Sequence, residues 1–102
     1  MTEAEVWPIE DNELDDMEMR AAAATPGPWR DFIEARDDFS GNDFIETGGG
    51  GDGQPDMYVR LEAAPAPAAD LEFIAHARQD VPRLVAEVRR LRALLQEGSG
   101  RP

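Results

Sequence analysis

His76 is the only histidine in this 102-residue chain, and cysteine is absent. A serine–histidine–acid relay would therefore have to run through His76. Its neighbours Ala75 and Ala77 are small, and no serine sits in a nucleophile-elbow context. One histidine without cysteine does not make an ordinary zinc site. Disulfide and thiolate chemistry are closed to the sequence as well. His76 reads either as a helix histidine making one hydrogen bond or as a ligand contact. We expect no enzyme, no metal and no cofactor.

Two further groups of residues invite a chemical reading. Asp37, Asp38, Asn42 and Asp43 place oxygen ligands on a turn that contains Gly41. Their spacing misses the alternate-position pattern of a calcium loop and its closing bidentate glutamate. Gly48 to Gly51 looks like a phosphate cradle, but Asp52 and Asp56 follow it where a lysine and a hydroxyl residue would be needed. The run reads as a hairpin loop. More telling are Trp29, Arg30, Tyr58, Arg60, His76 and Arg78, whose rings and guanidinium groups could stack a base and pair a phosphate. An ordinary solvated sheet face and a core-anchoring Trp29 would account for the same residues.

The formal charge of −12 restricts the partners. Phosphate affinity comes largely from Lys and Arg, so neither direct nucleic-acid binding nor an anionic membrane surface is expected. Residues 1–19 carry eight Asp or Glu and no basic residue, whereas Arg83, Arg89, Arg90 and Arg92 cluster near the C-terminus. All ten basic residues are arginine, which together with the alanine-rich segments points to coding bias. The acidic start argues against a signal peptide, and no apolar stretch approaches the roughly 20 residues needed to span a bilayer. A cytoplasmic protein is expected.

The elements that must position these residues follow from periodicity. Residues 1–10 read as a flexible acidic leader, in which Trp7-Pro8-Ile9 could staple the first helix. Asp11 or Asn12 can cap that helix, which runs through about Ala24 with Leu14, Met17, Ala21 and Ala24 on one face. Thr25-Pro26-Gly27-Pro28 ends it. Trp29–Ala35, Phe44–Thr47 and Met57–Glu62 read as strands of a three-stranded antiparallel meander. Ala63–Ala69 forms an extended crossover. Asp70 caps a second helix, and Asp80 with Pro82 opens a third, unless the two are one kinked helix. Residues 11–97 thus form one small α+β domain, and 98–102 fray.

Val81, Leu84, Val88, Leu91 and Leu95 alternate in steps of three and four, the seam of a helix that lies on another helix. About two heptads are marginal alone, so the seam needs a partner in the same chain or in a second copy. The small size of the domain and the extra apolar flank at Leu94 point to a homo-oligomer joined there.

Two segments carry a resemblance. A-A-A-A-T-P-G-P-W (Ala21 to Trp29) and D-L-E-F-I-A-H-A-R-Q-D-V-P (Asp70 to Pro82) are similar to paired signatures in small accessory proteins of actinobacterial phages and prophages. More distantly they resemble early-region accessory proteins of lambdoid phages. The acidic leader, the Gly48–Gly51 run and the Pro65/Pro67 linker lie outside the pattern. The resemblance implies a phage-linked protein in the host bacterial cytoplasm, and it carries no catalytic residues over. By analogy with small phage proteins that sequester host components, the leading expectation is a host-defence antagonist that captures a nucleotide-derived immune signal. The alternatives are an acidic inhibitor or nucleic-acid mimic that binds a host defence protein, and a structural or regulatory accessory without a ligand.

Overall fold

The computed structural model describes residues 8–37, 39, 41–50 and 53–99. Trp7, Asp38 and most of the acidic leader lie outside them. The elements in chain order are α1 (Asp11–Ala23), β1 (Arg30–Phe32), α2 (Glu34–Asp37), β2 (Phe44–Glu46), a 3-10 turn (Gly48–Gly50) and α3 (Ala68–Ser99). The α+β class matches the sequence reading. The three-stranded meander does not: among the described residues the sheet has two antiparallel strands, β1 and β2, with Asp31 opposite Ile45.

The third expected strand fails for an identifiable reason. Met57 makes one bridge to Ile45, with both backbone hydrogen bonds at 2.8 Å. The chain then leaves β2 and folds back on its own proline-rich continuation. Leu61 N–H donates to Ala64 at 2.7 Å, and Ala66 N–H donates to the Val59 carbonyl at 3.0 Å. Local closure costs less loop entropy than a longer ladder on a three-residue strand. Met57 and Val59 still pack on the core, while Leu61, expected beside them, is exposed.

β1 is also shorter than Trp29–Ala35. Asp37 turns its carboxylate back to accept Ile33 N–H at 2.8 Å, and the chain curls into the single turn of α2. After β2, Thr47 is buried and donates its hydroxyl to the Pro55 carbonyl at 2.9 Å, closing the glycine loop. Gly48 sits at φ +68°, and a Cβ there would lie 2.3 Å from Gln54 Cγ. Only glycine fits.

α1 starts one residue earlier than Asp11 or Asn12 would set it. Glu10 is its N-cap, and Glu13 Oε1 accepts the Glu10 N–H at 2.8 Å. Ile9 and Leu14 line the same groove, the positions of a hydrophobic staple. α3 is one 32-residue helix, not two, and Asp80 lies inside it. Pro82 cannot donate to the Arg78 carbonyl, a cost of about 3 kcal/mol in a helix interior. Burial on both sides offsets it: Leu71 and Ala75 face the sheet, and Val85 is buried alongside α1. The core is Ile33, Ile45, Ala66, Leu71 and Ala75, with Trp29, Met57, Val59 and Ile74 packed against it.

Candidate binding surface

Alternation along the two strands sends Asp31 and Ile45 inward and leaves Arg30, Phe32, Phe44 and Glu46 on the other face. Phe32 and Phe44 are directly paired in register, and their rings stack with centroids 5.0 Å apart and planes 12° apart. Phe39 meets both edge-on, at 6.4 Å from Phe32 and 5.6 Å from Phe44. Tyr58 lies 5.8 Å from Phe44 and is largely exposed. The Arg30 guanidinium sits 4.8 Å from the Phe32 centroid, a cation–π arrangement. Four rings and one arginine thus share the outer sheet face, with Glu46 opposite Arg30 across the ladder.

Of the six residues expected to contact a ligand, Arg30 and Tyr58 meet on this face. Arg60 borders it, lining with Tyr58, Asn42 and Asp43 a hollow of about 70 Å³. Trp29 and Arg78 lie elsewhere. Trp29 N–H donates to Gln79 Oε1 at 2.7 Å, and its Nε1–H donates to the Thr25 carbonyl at 3.1 Å. Arg78 donates to that same carbonyl at 3.0 Å, with its guanidinium 6.0 Å from the indole. Both residues fasten the end of α1 to α3. His76 belongs to a third place, with Nε2 3.6 Å from Asp31 Oδ1 on the inward side of β1.

That third place is a charge cluster the sequence did not reveal. Asp31 is only 8% exposed. Arg36 donates to the Asp31 carbonyl at 2.9 Å and lies 3.0 Å from its carboxylate, although Oδ2 lacks hydrogen-bonding geometry. Arg36 also pairs with Asp37 at 2.6 Å and with Glu72 at 3.0 Å. Hydrogen bonds from Arg36, and then from Ile33 N–H, hold the Asp37 carboxyl below the usual carboxylate range. The cluster ties β1, α2 and α3 together. Asp37 and Asp43, expected on one oxygen-rich turn, are spent on Ile33 N–H and on Glu34 N–H respectively. Among the described residues no group of three His, Cys, Asp or Glu side chains could hold a metal ion.

The acidic start and the arginine cluster find each other within the chain. Arg89 pairs with Asp15 at 2.7 Å and with Glu18 at 2.9 Å, and Arg92 pairs with Asp11 at 2.9 Å. Arg92 also donates to the Ile9 carbonyl. These contacts set α1 antiparallel to α3. Of the expected seam, Val81, Leu84, Leu91 and Leu95 are exposed, and Val88 is partly covered. The residue buried beside α1 is Val85, one position off the seam. Among the described residues no helix is long and apolar enough to cross a membrane. No protein-family model, no curated protein and no solved structure matches the chain.

Proposed function

We propose that this chain is a non-enzymatic binding protein of the phage accessory type, working in the host bacterial cytoplasm, and that it captures a host protein on the outer face of its sheet. The observation that carries this reading is the cluster of half-buried Phe32, Phe39 and Phe44 with exposed Tyr58 at its edge. Aromatic side chains give large contact area at low entropy cost and anchor protein interfaces. A small-molecule carrier encloses its ligand in a cavity of several hundred Å³. The hollow at Tyr58 and Arg60 is about 70 Å³, and the six expected contact residues are spread over three places. Arg30 and Arg60 balance Glu46 and Asp43 at the margin, and the chain's overall charge of −12 favours a basic partner surface.

The second reading is capture of a nucleotide-derived signal, favoured by Arg30, Tyr58 and Arg60 lying at one face. Native mass spectrometry of protein purified from infected cells separates the two. A co-purifying basic polypeptide, lost with Phe44→Ser and weakened steeply by salt, supports protein capture. A retained small ultraviolet-absorbing molecule, with Arg60→Ala weakening its binding about tenfold, overturns protein capture in favour of the second reading.

A further inference from the structure

Among the described residues the seam of α3 stays an open surface after the others have packed. Because α3 runs unbroken through Pro82, its heptad is continuous. Val81, Val88 and Leu95 occupy one core position, and Ala77, Leu84 and Leu91 the other. Val81 and Val88 with Leu84 and Leu91 fit the pattern of β-branched residues at the first position and leucine at the second, which favours a parallel two-stranded pairing. α1 leaves these leucines uncovered but builds one wall of a groove beside them. That groove, about 190 Å³, is lined among the described residues by Ile9, Leu14, Met17, Val81, Leu84, Val85 and Val88, all apolar.

We propose that α3 pairs in parallel with α3 of a second copy through Ala77, Val81, Leu84, Val88, Leu91 and Leu95, with the leucines of each copy seated in the α1–α3 groove of the other. Charge decides the orientation. In the parallel arrangement Glu87 of one copy flanks Arg92 of the other, and Asp80 flanks Val85, so no like charges meet. Within its own copy Glu87 is paired with Arg90, and Arg92 with Asp11. Two antiparallel registers overlap the helices most fully. The first sets Glu87 against Glu87 and Arg78 against Arg92, and the second sets Asp80 against Glu87. Both bring like charges together at the seam.

The area suffices. From Phe73 to Leu95 the face runs about 33 Å, and with the α1 flanks two copies cover on the order of 1,000 Å² in total, where specific interfaces begin. Leu71 and Ala75, which face the sheet, lie on the opposite side of the helix from Leu84 and Leu91. Pairing therefore leaves the outer sheet face open, and the dimer stands independently of what that face binds.

Sedimentation of the full chain at about 100 μM should give the mass of a dimer. Leu84→Glu should give a monomer with unchanged helical circular dichroism, since the wild-type side chain is exposed in the single copy. The chain lacks cysteine, so introduced thiols report orientation cleanly. Gly98→Cys should form a disulfide-linked dimer on mild oxidation. Mixed with Phe73→Cys, it should still pair with itself. A wild-type monomer, a larger assembly, or preferential 73–98 cross-linking would overturn the proposal.

Discussion

The two halves of α3 have the same helical periodicity and opposite fates. In the first half Leu71 is 1% exposed and Ala75 is fully buried, because β1, β2 and the Met57–Val59 segment close over them. In the second half Leu84 is 62% and Leu95 71% exposed, because α1 is the neighbour there and reaches only one flank. The attachments differ in kind. The first half is held mainly by apolar burial and by the Gln79 contacts to the Trp29 backbone, with one exposed ion pair, Arg36–Glu72, beside them. The second is held by Leu14 and Val85, reinforced by exposed ion pairs at Arg89 and Arg92. Apolar burial is cohesive in any salt, whereas exposed pairs are weak and screened. One helix therefore serves as the core of a domain at one end and as an open rail at the other.

Breaking the first half should cost most. Leu71→Ala should destabilise by about 2–5 kcal/mol, lowering the melting temperature by roughly 10 °C or more in a domain of this size. Leu91→Ala, measured on the Leu84→Glu background to remove any pairing, should stay within about 0.5 kcal/mol. Equal effects in urea titrations would abolish the distinction between the halves. Leu14→Ala tests the attachment of the second half. Leu14 is as buried as Leu71 but lies outside the main core cluster and borders an open apolar groove, so its loss should fall at the lower end, about 2–3 kcal/mol.

Smaller effects should appear at the charges. Arg89→Ala should lower the melting temperature less than Leu14→Ala does, and the difference from wild type should vanish in about 1 M salt. The smallest effect concerns acid. The Asp37 carboxyl is held below its ordinary value of 3.8 in the folded chain. Its stabilising contribution is therefore complete above that ordinary value and is lost as pH falls through the lowered one. Asp37→Asn should flatten this acid limb in a melting-temperature profile between about pH 5 and 2 while leaving the seam untouched.

Much of the local structure was legible. Leu14, Met17 and Ala21 at helical spacing, followed by Pro26 and Pro28, bound α1 closely, and the β1 and β2 segments fall within their expected ranges. The third strand was not legible, because alternation at Met57 and Val59 shows that one side packs but not which backbone closes the hydrogen bonds. In this chain Ala64 and Ala66 close them. Arg30 and Tyr58 were recognisable as residues able to hold a ligand. Phe39 and Phe44 joined them only through the register that stacks Phe32 on Phe44. The burial of Asp31 left no trace in composition, since its counter-charge, Arg36, arrives by an unforeseen turn of helix.

By itself the sequence determined what depends on neighbours a few residues away: helix faces, the proline stop after α1, a glycine loop after the second strand, and an apolar stripe along the last helix. Only the tertiary structure decided which edge of that stripe is covered. α1 packs through Leu14 onto the Val85 flank, with Arg89 and Arg92 setting its direction, and leaves Leu84, Leu91 and Leu95 in the open. The physical reason is that periodicity specifies a direction around a helix axis. What stands in that direction depends on contacts between residues some seventy to eighty positions apart, such as those of Arg89 and Arg92 with α1.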